Sequence, residues 1–197
     1  MSYHTKCTEI ITKAQKLLNE TDWTFVSNVD DVLLENKYFP DICSVPCFRT
    51  TTLVDKSVEY LMDKLWNETE ETRLQEDPDI VYWTEVEADK DWRVCNQLNK
   101  MQWPFWSRET VYVQVKVVQS DVSWIVTFSV DHDCVPRKDD QYVRATVFLS
   151  VYRFSKEGNQ TRIHRMSHID PGGNIPVSII NLYAGKLCKP LLSFKHD

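Results

Sequence analysis

Histidine, cysteine and aspartate are the side chains in this sequence that could bind a metal ion or form a nucleophile–base pair. His164 and His168 share one face of a strand-like segment, and His132, Cys134 or Asp131 could complete a zinc site or a Cys–His couple with them. The spacing is weak support, because the sequence contains no HExxH motif, no CxxC pair and no glycine-rich phosphate loop. We therefore expect ordinary histidines, no catalytic residue, no metal and no cofactor.

The composition argues against several function classes. The 197-residue chain has a net charge of −6 and a pI near 5.4, without the clustered basic residues that bind nucleic-acid phosphates. No apolar run approaches the roughly 20 residues that span a bilayer, and the first residues lack the apolar core of a signal peptide. We therefore predict a cytoplasmic protein. Its six dispersed cysteines then fit reduced thiols better than a disulfide framework.

Hydrophobic periodicity predicts an α+β fold in a single domain spanning residues 1–197. Apolar residues recur at helical spacing over 7–18 and 58–65, and the acidic run 68–79 that follows is typical of a solvated surface. Six successive strand-like segments fill the second half: 80–86, 91–100, 110–118, 123–131, 142–154 and 161–169. Consecutive strands without helices between them favour an antiparallel meander covered by a terminal helix.

Two segments are more specific than this pattern. Residues 168–176 read HIDPGGNIP, in which a strand enters a Pro-Gly-Gly turn and Pro176 lies in the first turn of a helix. Residues 100–113 read KMQWPFWSRETVYV, a proline-containing loop that enters a strand. Together they resemble the START family of lipid-transfer domains, nearest in motif to its phosphatidylcholine-transfer-like branch. The Arg-Asp pair of the family pattern reads Arg108-Glu109 here.

The resemblance implies a helix-grip fold, in which a curved antiparallel β-sheet wraps around a C-terminal helix and encloses an apolar tunnel for one lipid. We expect lipid binding at Tyr112, Phe128, Arg144, Phe148, Ile180, Tyr183, Ala184, Leu187 and Leu191. The resemblance assigns a structural role to the motif residues Arg108, Glu109, Asp170, Pro171, Gly172 and Gly173. We expect the Arg108-Glu109 pair to fix the preceding loop through charge-assisted hydrogen bonds, and Asp170 to cap its own turn.

Alternation within the strands leaves open which face lines the tunnel. Residues 142–154 alternate between an apolar row and a mixed row that contains Arg144, Thr146 and Ser150. The mixed row could offer polar contacts to a lipid head group, or it could face solvent.

The family features that hold phosphatidylcholine are largely missing. Aligned on the motifs, the positions of the aromatic choline cage carry Gln97, Thr110 and Phe148, so a single ring remains. The Arg and Asp that hold the phosphate correspond to Asp63 and Asn67. We therefore expect a cargo other than phosphatidylcholine.

The resulting prediction is a non-enzymatic, monomeric protein that binds one lipid, touches membranes transiently and does not bind nucleic acid. It would transfer that lipid or sense it. The C-terminal helix would be the gate, with Gly185 and Pro190 as weak points, unless Pro190 simply ends the helix. The alternatives are a hydrolase or cyclase on the same scaffold, acting on an apolar substrate, and a ligand-gated interaction module.

Overall fold

The computed structural model describes residues 2–173 and 175–196, and of Leu182 and Tyr183 it describes the backbone only. The α-helices are α1 (Tyr3–Leu18), α2 (Val58–Trp66), α3 (Glu70–Glu76), α4 (Val177–Ala184) and α5 (Lys189–His196). The strands are β1 (Thr24–Val29), β2 (Val32–Lys37), β3 (Cys47–Val54), β4 (Ile80–Ala88), β5 (Trp92–Asn99), β6 (Arg108–Val117), β7 (Val122–Ser129), β8 (Val143–Arg144), β9 (Thr146–Glu157) and β10 (Gln160–Asp170).

The strands form one sheet in the order β1-β2-β3-β10-β9-β7-β6-β5-β4, and the two-residue β8 joins the side of β6. Every pairing along this order is antiparallel, whereas β8 pairs with β6 in parallel. β3 lies against β10, so the first strands of the chain and the last are neighbours. The predicted antiparallel sheet with terminal helices is confirmed.

Side-chain caps begin the three helices of the first half. The Oγ of Ser2 accepts from the backbone N–H of Thr5, and that of Ser57 accepts from Tyr60, each at 3.2 Å. Thr69 and Thr72 form a reciprocal capping box at the start of α3. The acidic run 68–79 thus contains a helix that periodicity did not predict. Glu70, Glu71 and Glu76 are exposed, as a solvated surface requires, whereas the Glu68 side chain is only 15% exposed.

The face of the sheet that α1 covers, here called the outer face, is an apolar core. α1 buries Cys7, Ile10, Ala14 and Leu17. Alternate residues of β6 pack in the same cluster, namely Val111, Val113 and Val115, together with Trp124, Val126, Leu149 and Val151 of β7 and β9. This row of valines is the one that strand alternation predicts.

The opposite face, here called the inner face, is covered by α2, α4 and α5. Tyr152 and Phe154 of β9 pack there with Leu61 of α2 and with Leu191 and Phe194 of α5. The mixed row of β9 thus faces inward, which answers the question that alternation left open. β9 begins only after Ala145, and Thr146 at its start is exposed.

The C-terminal helix is not continuous from Val177 to Phe194. A 3-10 turn over Gly185–Cys188 separates α4 from α5. Pro190 lies in the first turn of α5, where a missing N–H costs little. Pro190 does not end the helix, since α5 continues to His196. The predicted weak point at Gly185 coincides with the start of the 3-10 turn, and a weakening effect of Pro190 stays a prediction.

Candidate ligand-binding site

A cavity of about 260 Å³ lies between α4 and the inner face of the sheet. Most of its wall is apolar and comes from Val45, Pro46, Phe48, Ile169, Ile175, Ile179, Ile180, Ala184 and Leu187. Polar groups that also line it include Asp77, Asp79, Asn99, Lys100 and Lys186. The Lys186 ammonium donates to the Asp79 carboxylate, so an ion pair ties the C-terminal segment to the start of β4. An apolar wall with a few polar groups is typical of a small-molecule site.

Three of the residues predicted to bind lipid line this cavity: Ile180, Ala184 and Leu187. Leu191 is fully buried in the inner core beside it. The side chain of Tyr183 lies outside the described residues.

Four other predicted residues lie elsewhere. The Tyr112 hydroxyl accepts from Trp83 Nε1 at 2.7 Å and donates to Gln97 at 3.3 Å. Phe128 packs on the outer face in the core beneath α1. Phe148 lies at a bulge in the β9–β10 pairing, with its ring centroid 5.4 Å from that of His168.

Arg144, the fourth, forms a buried ion pair with Glu109. Its Nη2 lies 2.7 Å from Glu109 Oε2, and the two side chains are 8% and 2% exposed. Arg144 also donates to the carbonyls of Val135 and Pro136, each at 3.3 Å, so it anchors the loop before β8. Sequence alternation could not reveal this role, because the parallel β8–β6 pairing that aligns Arg144 with Glu109 interrupts the predicted strand.

Arg108 joins the two sequence motifs. Its Nε donates to the carbonyl of Pro171 at 2.9 Å and its Nη2 to that of Gly172 at 3.0 Å, while Nη1 donates to Trp106 in the preceding loop. Arg108 thus fixes that loop without Glu109, whose partner is Arg144. Burial lowers the pKa of the Arg108 guanidinium.

The Pro-Gly-Gly turn needs its glycines for two physical reasons. Gly172 and Gly173 both have a φ of +67°, which other residues rarely adopt. A Cβ at Gly172 would also lie 2.9 Å from Val143 Cγ1. Asp170 Oδ1 accepts from the backbone N–H of Gly172 at 2.8 Å, so this carboxylate caps its own turn.

Sequence reasoning missed a group of charged side chains on the inner face, here called the inner arginine cluster: Arg73, Arg93, Arg165 and Glu68. Arg73 pairs with Glu68 at 2.7 Å. Arg93 stacks between the rings of Trp66 and Trp83, at 4.9 and 5.1 Å, and donates to Gln114 at 2.9 Å. The signal that could have found it is the inward register of Arg93 and Arg165, at strand positions where an apolar residue is usual.

Arg165 connects this cluster to the cavity wall. Its Nη1 donates to the carbonyl of Leu187 at 2.8 Å, and its guanidinium lies 5.4 Å from the Tyr152 ring. Burial raises the pKa of the Glu68 carboxyl, although the nearby Arg73 opposes this shift. Burial also raises the pKa of the Tyr152 phenol, which therefore stays neutral near pH 7.

A cysteine and a histidine do meet in the fold, but not in a reactive arrangement. Cys43 Sγ lies 3.2 Å from His168 Nε2, which is also 3.1 Å from the Val45 carbonyl. Burial raises the pKa of the Cys43 thiol and lowers that of the His168 imidazole. A protonated thiol is a weak nucleophile. Within residues 2–173 and 175–196, no three potential ligands come together to hold a metal ion.

The residues aligned with the phosphatidylcholine-binding positions of the family provide neither a choline cage nor a cation for the phosphate. Gln97 donates to Asn99 at 2.8 Å instead of presenting a ring. Asp63 is exposed on α2, and Asn67 is the C-cap residue of that helix.

The loop between β5 and β6 presents aromatic rings to solvent. Trp103 is 88% exposed and Trp106 is 53% exposed, and Met101 in the same loop lines the cavity. No helix in the described part of the chain is both long and apolar enough to cross a membrane.

Comparison with known proteins adds to this geometry. A family model of the START domain matches residues 7–195. Human StAR-related lipid transfer protein 5 is similar with a TM-score of 0.81 and 13% sequence identity, over 97% of this chain and 93% of that one. Human STARD10 is similar with a TM-score of 0.79 and 17% sequence identity, over 94% of this chain and 78% of that one. The lipid transfer and protein localization domain of human StarD13 is similar with a TM-score of 0.71 and 21% sequence identity, over 94% of this chain and 96% of that one. A search of curated protein sequences gave no significant match. These structural similarities confirm the predicted helix-grip fold.

Proposed function

This chain belongs to the START domain family, and on that premise we propose that it binds one lipid molecule in the cavity under α4 and carries it between membranes or senses it. The observation that carries the proposal is the apolar cavity wall to which Ile180, Ala184 and Leu187 contribute. The names of two structural relatives, which describe lipid transfer, support the same function.

The choice of lipid would depend on how well the lipid matches the shape and polar groups of the cavity, rather than on the hydrophobic free energy of binding. A lipid that leaves a bilayer exchanges one apolar environment for another, so little hydrophobic free energy is gained in transfer. A polar head group that enters without hydrogen-bond partners costs free energy. The cavity volume and its polar groups would therefore decide which lipid is held.

The gate in this proposal is α4 alone, with the 3-10 turn as its hinge. α5 is anchored by Leu191 and Phe194 in the inner core, whereas Ile179 and Ile180 of α4 are only half-buried. Gly185 begins the turn, and a Cβ there would meet no atom within 4 Å, so the backbone has room to move. A helix that forms one wall of the cavity and has few buried contacts is suited to open locally.

Membrane contact would begin at the loop between β5 and β6. Tryptophan favours the interface between membrane and water, and Trp103 and Trp106 are exposed beside the cavity. Because the chain carries a net charge of −6, this contact would depend on aromatic rings more than on charge. We propose a non-enzymatic action, since the Cys43 thiol beside His168 is held protonated.

Native mass spectrometry tests the proposal directly. Protein stripped of lipid and then exposed to mixed vesicles should retain one lipid per chain, and retention of none across common classes would overturn it. Ala184→Phe should fill the cavity and reduce retention at least about tenfold, because Ala184 lines the wall. Asn181→Phe is the matched control, since Asn181 is exposed on the same helix.

The cargo is proposed to be a lipid other than phosphatidylcholine. Competition in a vesicle transfer assay should show phosphatidylcholine displaced by another lipid class, since Gln97 and Asp63 replace a cage ring and the phosphate-binding cation. Preference for phosphatidylcholine over ceramide, sterol, fatty acid and other phospholipids would contradict this choice.

A further inference from the structure

The buried part of the inner arginine cluster holds more positive than negative charge. Arg73, Arg93 and Arg165 carry three guanidinium groups, and the buried carboxylate among them is Glu68, 2.7 Å from Arg73. Glu76 also acts on Glu68 and Tyr152, but it is exposed to solvent. Glu85 lies 3.9 Å from Arg93, but its side chain is 45% exposed and therefore well screened. A buried charge without a partner is costly, so an excess of arginine on an inner face calls for an explanation.

Two of these guanidinium groups also have an N–H donor that makes no hydrogen bond to any described atom. The Nε atoms of Arg73 and Arg165 are buried and have no hydrogen-bond partner within the described residues. Thr50 faces Arg165 in the β3–β10 register, and its buried hydroxyl is unpartnered as well. Buried polar groups in folded proteins are almost always hydrogen-bonded. Buried donors that lack acceptors on one face of the sheet fit a ligand that brings acceptor oxygens.

The cluster adjoins the cavity through three elements. Arg165 donates to the carbonyl of Leu187, whose side chain lines the cavity, and Ser167 lines it two residues along β10. The N–H of Asp77, which also lines the cavity, donates to the carbonyl of Arg73 at 2.9 Å. The four cluster side chains do not line the cavity themselves, so they lie behind the part of its wall that Leu187, Ser167 and Asp77 form. A lipid with its chain in the cavity would meet them where its polar end passes these three residues.

Resting on the proposed function, we propose that Arg73 and Arg165 bind the negatively charged head group of the lipid, so that the cargo is an anionic, single-chain amphiphile with a carboxylate or phosphate end. Arginine is suited to this role, because its planar fork of donors matches the oxygens of either group. The volume of about 260 Å³ lies below the range of roughly 300–1,000 Å³ typical of ligand pockets, which favours a cargo with one chain over a cargo with two.

Pairs of probes with the same chain and different head groups test the proposal. Oleic acid should bind roughly 10- to 100-fold more tightly than oleyl alcohol, as a charge-assisted hydrogen bond allows. Oleoyl lysophosphatidic acid should exceed monooleoylglycerol in the same way. Arg165→Met should abolish both preferences. The melting temperature of the lipid-free protein should change little, because removal of a buried charge offsets the loss of the hydrogen bond to the Leu187 carbonyl.

Two further variants separate the effect of the Arg165 charge and donors from a general effect of removing an arginine. Arg165→Lys retains the charge with fewer donors and should preserve part of the preference for oleic acid. Arg153→Met is the matched control and should leave the preference intact, since Arg153 lies on the outer side of β9 over the Trp124 ring at 5.9 Å.

Each outcome separates this proposal from the one on which it rests. If acid and alcohol bind equally and Arg165→Met changes neither, lipid binding stands and the anionic head group is wrong. If none of the four amphiphiles binds, the proposed function falls with it. If inorganic phosphate alone binds in an Arg165-dependent manner while the acid and the alcohol bind equally, the cluster is a site for a free anion and not for a lipid.

Discussion

The two faces of the sheet are built by the same strands, but they differ in how many of their buried polar atoms have a hydrogen-bond partner. On the outer face, Val113, Trp124 and Leu149 are fully buried in one apolar core with α1. On the inner face, threonine and arginine alternate with the apolar residues, and four of the six unpartnered buried atoms in the described residues are found there: Thr50 Oγ1, Thr52 Oγ1, Arg73 Nε and Arg165 Nε. Both faces therefore bury an apolar core, but most of the unpartnered polar atoms lie on the inner face, which is the face that borders the cavity.

The comparison predicts opposite results for the same substitution at two arginines. Arg144→Met should lower the free energy of unfolding by about 3–5 kcal/mol, because it leaves the buried Glu109 carboxylate without its partner. Arg165→Met on the inner face should lower it little or not at all. Urea unfolding of both variants measures the difference.

The control for Arg144 removes both charges. The double variant Arg144→Met and Glu109→Leu should recover most of the loss, since no unpaired charge remains. An Arg144→Met protein as stable as the wild type would show that the buried pair contributes nothing.

Truncation on the outer face should affect stability and not ligand binding. Leu149→Ala should cost about 3–4 kcal/mol, because Leu149 is fully buried and its truncation leaves a cavity. Lipid retained per folded molecule should remain at the wild-type level in native mass spectrometry. A loss of lipid binding in Leu149→Ala protein that remains folded would contradict this prediction, because it would show that packing on the outer face affects the cavity on the inner face.

Acid should weaken the outer face through His164. Burial, together with Arg153 and Arg162, lowers the pKa of this imidazole from 6.5 to about 4, and its Nδ1 lies 3.1 Å from Thr51 Oγ1. Its contribution to stability is present above pH 6.5 and is lost as the pH falls toward 4, because the unfolded chain takes up the proton first. The loss should reach at most about 3 kcal/mol.

Unfolding of wild type and His164→Gln at pH 7 and pH 5 isolates this effect. The variant should lose less stability than the wild type over that interval. Subtraction of the two profiles removes the contribution of His168, whose pKa is lowered as well. Parallel profiles would contradict the assignment to His164.

The smallest expected effect distinguishes satisfied from unsatisfied hydroxyls. Thr50→Val should raise stability by about 1 kcal/mol, because its buried hydroxyl has no partner among the described residues. Thr161→Val should lower it by a similar amount, since the Thr161 hydroxyl donates to the Lys56 carbonyl at 2.7 Å. Both threonines lie on the inner face, so equal effects of the two substitutions would show that the unpartnered Thr50 hydroxyl carries no cost of its own.

The fold was more predictable from sequence than the site, for a physical reason. Period-two alternation reports which residues share a face, so the valine row of β6 could be assigned before its partner was known. The Pro-Gly-Gly turn was equally readable, since Gly172 and Gly173 both need positive φ. These signals are local in sequence.

Several of the predicted site residues lie away from the cavity, at places where long-range pairing decides the position of a side chain. Arg144 was assigned to lipid because it sits in a mixed row, but a break before β9 aligns it with Glu109. The inner arginine cluster joins residues of α3, β5 and β10, and no local pattern connects them. Phe128 shows the same limit, since alternation places it opposite Thr127 without saying which of the two faces α1.

The β3–β10 pairing also sets an order of events at the ribosome. Val54 pairs with Thr161, so the β1–β3 meander emerges about one hundred residues before the strand that completes its edge. Through that interval β3 exposes unpaired backbone groups, the kind of edge that recruits strands from other chains. A nascent chain halted within β9 should therefore be a favoured substrate for chaperones, and release should coincide with the synthesis of β10.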